Sequence, residues 1–163
     1  MPATPLASVS EYVLAVHIIA VVAGFGVVFA YPIMFAVAGR QDPRSLPLIH
    51  RIEHTIERVL INPGLLLVVI AGIYLASDGH RWSEFFVQWG LGAAIVIGAL
   101  VGAVMIPTAK RAEQLAARDV AASGEGPVQM SEDYRALTRR LSAVGTLLSL
   151  IVVLTILFMV VKP

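Results

Sequence analysis

Four long apolar runs, separated by short polar connections, dominate the pattern of the chain. They cover approximately residues 12–37, 59–76, 85–109 and 141–161. Each run approaches the roughly 20 residues that an α-helix needs to cross the hydrocarbon core of a bilayer. The pattern predicts an all-α fold, a four-helix transmembrane bundle in which residues 1–163 form a single integral membrane domain. We do not expect the first run to be a cleaved signal peptide, because it is long and no basic residue precedes it.

The composition agrees with a membrane protein. Hydrophobic residues make up 58% of the chain and charged residues 14%, whereas about a quarter of the residues of a soluble domain are charged. Cysteine is absent, which excludes disulfides, iron–sulfur clusters and thiolate metal sites. The net charge of +1 does not indicate a nucleic-acid partner. We therefore predict contact with the lipid bilayer and none with nucleic acid.

The basic residues are distributed unevenly along the chain. Ten of the twelve lie between the first and second runs, at the start of the second, or between the third and fourth. These ten are Arg40, Arg44, Arg51, Arg58, Lys110, Arg111, Arg118, Arg135, Arg139 and Arg140. By the positive-inside rule their segments face the cytoplasm, which predicts an N-out, C-out topology. The segment after the third run is rich in helix formers, so we also predict cytoplasmic helical extensions.

The segment "LIHRIEHTIERVLINP" (48–63) contains two of the four histidines in an H-x-x-E-H arrangement. On a helix, an apolar stripe and a polar face lie side by side. The stripe consists of Ile49, Ile52, Ile56, Val59 and Leu60, and the polar face of His50, Glu53, His54 and Glu57. We interpret this segment as an amphipathic helix whose polar face meets solvent or lipid headgroups. Because Pro63 cannot donate to the carbonyl of Val59, we expect a bend there.

A metal site at His50 and His54 is the alternative interpretation, because residues four apart lie on one helix face. The third ligand would come from the other cytoplasmic segment, where the candidates are Glu113, Glu125 and Glu132.

Polar residues inside apolar runs indicate functional sites, because each is costly in lipid unless it has a partner. His17 lies roughly 8 Å inside the first helix at about 1.5 Å per residue, and Gly24 and Tyr31 follow on the same face. The candidates at the same level of the other helices are Tyr74, Gln88 and Met159. Two alternatives stay open. His17 either hydrogen-bonds Gln88, Tyr74 or a backbone carbonyl, or it binds a cofactor or handles a proton.

Small residues recur every fourth position in the third run, at Gly90, Ala94, Gly98 and Gly102. Such rows let helices approach closely in lipid. We predict that this row packs against another helix of the same bundle, with a dimer contact as the alternative. A bulky side chain at Gly98 would then destabilise the protein, whereas Ile97 would lie on the opposite face.

Three stretches carry a resemblance to known families: "LAVHIIAVVAGFGVVFAYPIMFAVA", "IERVLINPGLLLVVIAGIYL" and "LLSLIVVLTILFMVVKP". The chain resembles small four-helix bacterial membrane proteins described as predicted integral membrane proteins of unknown function. More distantly it is similar to HemJ-type protoporphyrinogen oxidases and CopD-like copper-resistance domains. The resemblance implies the bacterial cytoplasmic membrane, and it implies haem b binding through the helix-one histidine, which is His17 here.

Two positions depart from the HemJ-type pattern. Ile33 follows Pro32 where those proteins carry a basic residue, and Gln88 or Gly90 stands where they carry a lysine early in helix three. The resemblance therefore implies the fold and a haem site more than the oxidase reaction.

Three classes of function follow from these observations. The first is a membrane protein that binds haem b through His17, with Met159 or His80 as a second ligand, because neutral imidazole suits iron. The second is a cofactor-free assembly or accessory subunit that contacts a membrane-protein partner or forms a homo-oligomer. The third is a metal or proton transporter.

Overall fold

Four long helices form the protein, and the all-α, four-helix prediction is confirmed. The computed structural model describes residues 8–163, and these contain no β-strand. All four helices are long and apolar enough to cross a membrane. The first comprises α1 (Val9–Gly26) and α2 (Tyr31–Gln41), the second α3 (Leu46–Ile56) and α4 (Asn62–Asp78), the third α5 (Phe85–Leu100) and α6 (Ile106–Ala122), and the fourth α7 (Glu132–Val161).

Each of the first three helices is interrupted four residues before a proline. Pro32 follows a 3₁₀ turn at Val27–Phe29, and π-helical turns at Glu57–Ile61 and Val101–Met105 precede Pro63 and Pro107. Proline has no amide hydrogen, and its ring clashes with the carbonyl four residues earlier. The three carbonyls affected are those of Val28, Val59 and Ala103, each at the centre of its turn. At Pro63, where a bend was expected, the helix thus changes locally from α-helical to π-helical hydrogen bonding.

The two ends of the bundle differ in charge. The Ser10 hydroxyl bonds the Asp78 carboxylate at 2.5 Å, and the Lys162 ammonium lies 6.0 Å from the centre of the Phe86 ring. The start of α1 and the end of α7 therefore lie beside the turn between α4 and α5. The other two connections lie at the opposite end, where the Arg44 guanidinium donates to the Gly126 carbonyl at 2.7 Å. We call this the basic end, because it carries ten of the twelve basic residues. Its cytoplasmic location stays a prediction.

The helices extend well beyond the apolar runs at the basic end. The third helix, Phe85–Ala122, has 38 residues, which is about 57 Å at 1.5 Å per residue. The hydrocarbon core of a bilayer is only about 30 Å thick. The predicted helical extensions are therefore present, and they pack on one another.

Two separate apolar cores hold the helices together. The membrane core consists of Phe25, Ile97, Leu148 and Val152. The basic-end core consists of Ala38, Leu46, Ala112, Ala116 and Tyr134. Around the membrane core, large apolar side chains such as Val22, Ile95 and Leu150 point outward and are exposed on the protein surface. An exposed apolar surface of this extent is the lipid-facing surface of an integral membrane protein.

The row of small residues in the third helix does not form one packing face within the chain, and this corrects the prediction. The Met159 side chain packs directly on Gly90, but no atom of another described residue lies within 4 Å of a Cβ built on Gly98 or Gly102. Ile97, expected on the opposite face, is buried in the membrane core. A four-residue step rotates about 40° beyond one helical turn, so the row winds around the helix. The π turn at Val101–Met105 shifts the face further.

Close backbone contact occurs instead between α1 and α4. A Cβ on Gly64 would lie 3.0 Å from the Cα of Gly24 and 3.4 Å from the Ala20 carbonyl oxygen. Backbone atoms cannot move aside as a flexible side chain can, so a larger residue at Gly64 would push the two helices apart, whereas a Cβ on Gly24 would make an ordinary contact at 3.4 Å.

We predict that Gly64→Ala lowers the stability of the protein in detergent, because the added methyl group overpacks this contact at a cost of about 1–3 kcal/mol. Gly92→Ala is the matched control, since nothing lies within 4 Å of a Cβ there and alanine favours a helix over glycine by up to about 1 kcal/mol. Thermal unfolding of the purified variants measures both. Equal melting temperatures for the two variants would contradict the close contact.

Candidate functional site: a buried polar cluster

The polar side of α3 and the following π turn faces the interior of the protein. His50, Glu53 and Glu57 are only 2%, 4% and 5% exposed. By contrast, Val59 of the apolar stripe is 66% exposed. The predicted solvated face is therefore wrong. The prediction assumed water outside the helix, whereas near a bilayer apolar side chains face lipid and polar ones face the bundle interior.

Two imidazole–carboxylate pairs form along this face. The Nδ1 atom of His50 lies 3.4 Å from Glu53 Oε2, and Nδ1 of His54 lies 3.6 Å from Glu57 Oε2. Both pairs have i,i+3 spacing, which brings side chains together on a helix surface. The first pair is fully buried, whereas the His54 side chain is 32% exposed. The two pairs therefore connect the protein surface with its interior.

Two tyrosines from other helices complete the cluster. The Tyr134 hydroxyl, near the start of α7, lies 3.2 Å from Nε2 of His50. Tyr31, the first residue of α2, is buried within electrostatic range of the Glu53 and Glu57 carboxylates. The Phe35 ring packs on the His50 ring at a centroid distance of 4.7 Å. We call this set the His–Glu–Tyr cluster; its members are Tyr31, His50, Glu53, His54, Glu57 and Tyr134.

Four polar atoms of the cluster are buried without a hydrogen-bond partner among residues 8–163. They are the Tyr31 hydroxyl, His50 Nδ1, Glu53 Oε2 and Glu57 Oε2. The 3.4 Å separation of His50 and Glu53 is close enough for ion pairing but lacks hydrogen-bond geometry. Within the same residue range, no Lys or Arg pairs with either glutamate. Each unsatisfied buried polar group costs about 1–3 kcal/mol, so this concentration needs a functional explanation.

A metal site at His50 and His54 finds no support in this geometry. Of the expected third ligands, Glu113 lies 3.6 Å from Arg51, and Glu132 lies 2.7 Å from Arg139. No group of three or more histidine, aspartate or glutamate side chains in the described part of the chain is arranged to hold a metal ion.

His17 contacts α4, where the Val68 backbone lies within hydrogen-bonding range of the ring, and not the Gln88 or Tyr74 side chain. A Cβ on Gly72 would lie 3.4 Å from Cε1 of the His17 ring, and the Nδ1 atom is buried without a hydrogen bond in the described region. Gln88 is exposed and donates to the Trp82 carbonyl at 3.3 Å, and Tyr74 is also exposed. Neither forms the hydrogen bond with His17 that the sequence predicted.

The residues predicted to bind haem do not contact one another in the described structure. His17 lies against Gly72 of α4, whereas Met159 packs on Gly90 of α5. His80 lies in the exposed turn after α4, in a left-handed backbone conformation with φ of 54°. No described contact joins any two of these three side chains, so haem b stays a prediction from the resemblance alone.

The absorption spectrum of protein purified from haem-supplemented cells tests that prediction directly. From the geometry we expect no Soret band, and a His17→Ala variant should have the same spectrum as the wild type. A reducible b-type spectrum that disappears in His17→Ala would instead demonstrate the haem site.

Two members of the cluster are not predicted from the sequence. For Tyr31 the sequence predicts only a position on the same face as His17. The seven-residue steps from His17 to Gly24 to Tyr31 could have indicated this position. Residues at such steps share one helix face, and this face contacts the second helix. Tyr134 follows the N-cap Ser131, whose hydroxyl accepts from the Tyr134 amide. Nothing in the sequence linked it to His50, which is 84 positions away.

The contact between Tyr134 and His50 generates a stability prediction. Tyr134→Phe removes the hydroxyl and leaves the buried Nε2 of His50 without a partner, so the free energy of unfolding should fall by about 1–3 kcal/mol. Tyr12→Phe, at an exposed position of α1, should change stability little. Denaturation in detergent measures both, and an unchanged stability of Tyr134→Phe would indicate that His50 is not held as described.

Comparison with known proteins gives one family assignment. A family described as "Predicted integral membrane protein (DUF2269)" matches residues 11–163. No curated protein and no solved structure matches the chain significantly. The similarity to HemJ-type and CopD-like proteins therefore stays a prediction.

Proposed function

The chain belongs to this family of predicted integral membrane proteins, and we propose that it binds and releases protons at the His–Glu–Tyr cluster. The observation that carries this proposal is the burial of Glu53 and Glu57, four residues apart on one helical face, with imidazoles as the only basic side chains within ion-pair distance among the described residues. Ionisable groups buried in membrane helices mark ion pathways and proton relays.

The burial of the two glutamates makes a full negative charge on both unfavourable. Burying a carboxylate is costly unless it is paired, and two neighbouring carboxylates also repel each other. A proton on one of the carboxyl groups removes this repulsion, and a proton on a neighbouring imidazole offsets it.

His54 is the residue through which protons enter and leave. Its side chain is 32% exposed, whereas that of its partner Glu57 is 7% exposed. A proton taken up by His54 has only 3.6 Å between its Nδ1 and Glu57 Oε2 to cross. From Glu57 the remaining acceptors are Glu53, Tyr31 and His50, all buried.

The cluster exchanges protons with the medium at the basic end of the protein. On the other side of the cluster, α1 and α4 are in backbone contact at Gly24 and Gly64, and Ala20 and Ala71 are buried. Glycine and alanine, the residues described at this contact, have no side-chain group that could carry a proton between the cluster and His17. If the positive-inside rule holds, the proton is exchanged with the cytoplasm, and the membrane is the bacterial inner membrane.

Infrared spectroscopy of the protein in lipid nanodiscs, recorded as a function of pH, tests the proposal. We expect a carbonyl band of a protonated carboxyl group at neutral pH, and we expect it to disappear in Glu57→Gln. Glu84→Gln, which removes an exposed carboxylate at the opposite end, should keep the band.

A second variant separates loss of the site from loss of the fold. His54→Gln should keep the band but slow its shift after transfer to deuterated buffer, because the proton entry residue is gone. A wild-type spectrum without any protonated carboxyl group near neutral pH would overturn the proposal, as would a band that is unchanged in Glu57→Gln.

A further inference from the structure

The outer surface of α2 forms a groove that the proton-binding proposal does not use. Its lining residues share one helical face at positions i, i+1, i+4, i+5, i+8 and i+9. They are Pro32, Ile33, Ala36, Val37, Arg40 and Gln41, and they surround a volume of about 450 Å³. The opposite face of α2 contributes Tyr31 and Ala38 to the interior. The groove therefore lies on the outside of the bundle.

The chemistry of the groove changes along its length. The first four lining residues are apolar and exposed, and the last two, Arg40 and Gln41, are polar. Because α2 runs towards the basic end, the polar pair lies nearest to that end. An amphiphile with an apolar tail and a polar head fits this order in only one orientation.

If α1 begins in the headgroup layer at the opposite end, Arg40 reaches the headgroup layer at the basic end. From Val9 to Arg40 the helix advances 31 positions (40 − 9), which is about 46 Å at 1.5 Å per residue. A bilayer with its headgroups is about 40–45 Å thick. The groove therefore runs from the inner edge of the hydrocarbon core into the headgroups of the leaflet at the basic end.

Arg40 is available to an anionic ligand. Four other arginines pair with carboxylates, namely Arg51, Arg118, Arg135 and Arg139, and Arg44 donates to a backbone carbonyl. No carboxylate between residues 8 and 163 lies within ion-pair distance of Arg40. The planar guanidinium group matches the geometry of a phosphate and binds it with two parallel hydrogen bonds.

We propose that this groove binds one anionic phospholipid from the leaflet at the basic end. The lipid phosphate contacts Arg40 and the Gln41 amide, and one acyl chain lies along Ile33 and Val37. Charge complementarity selects an anionic headgroup, because the site supplies a cation and no acidic side chain among its lining residues.

Thermal unfolding of the full-length protein in detergent tests this site with three additives: phosphatidylglycerol, phosphatidylcholine and inorganic phosphate. We expect the anionic lipid to raise the melting temperature more than the zwitterionic lipid does, and phosphate alone to have no effect. In Arg40→Gln the apparent affinity for phosphatidylglycerol should fall about tenfold or more, since a charge-assisted contact is lost. Arg40 is exposed, so this variant should fold.

Arg111→Gln is the matched control, because it removes the same charge from an exposed position of α6. It should retain the wild-type response to phosphatidylglycerol. Equal losses in Arg40→Gln and Arg111→Gln would mean diffuse attraction by the basic end and would overturn the specific site. Equal stabilisation by both lipids, or stabilisation by phosphate alone, would also overturn it.

Discussion

The absence of an amide hydrogen in proline is the constraint on which the architecture depends. Each of three prolines leaves the carbonyl four residues earlier without its helical partner; they are Pro32, Pro63 and Pro107. At each of these points the helix changes from α-helical to 3₁₀ or π winding. Around the π turns, the Asn62 amide donates to the Glu57 carbonyl and the Ile106 amide to that of Val101. Both are i→i+5 bonds, the hydrogen bonding that defines a π turn.

The three interruptions lie at one level of the bundle. Between each of them and the opposite end stand 18 residues of α1, 17 of α4 and 16 of α5, or about 24–27 Å at 1.5 Å per residue. This level separates the membrane core from the basic-end core. Glu57 lies within one interruption and Tyr31 lies two residues after another, so the His–Glu–Tyr cluster occupies the junction between the two cores. Helices interrupted by 3₁₀ or π turns are a known feature of functional sites in membrane proteins.

The short helix α2 connects the two proposals. Its inner face supplies Tyr31 to the cluster and Phe35 to the packing around His50. Its outer face, two turns of apolar residues followed by Arg40 and Gln41, forms the groove. Because α2 continues the first helix beyond the interruption at Val27–Phe29, one segment of eleven residues presents both surfaces.

The sequence by itself determined the class of the protein. Apolar runs of membrane length and the uneven distribution of arginine were enough to predict four helices and the extensions at the basic end, because both follow from local composition. The lack of an amide hydrogen at Pro63 likewise predicted the position of one interruption. Such features depend on the residue and its neighbours along the chain, and the fold does not have to be known.

Only the tertiary structure decided which face of each helix is buried. His50, Glu53 and Glu57 formed the same polar face in either interpretation, but their burial depends on α2, α6 and α7 packing around them. The same holds for Ile97 and Gly98, adjacent residues of which only the first reaches the membrane core. Periodicity defines the faces of a helix, but the identity of the surroundings, lipid or protein, is set by contacts between residues far apart in the chain. In a membrane the usual apolar-inward rule does not resolve the choice, because lipid is as apolar as a protein core.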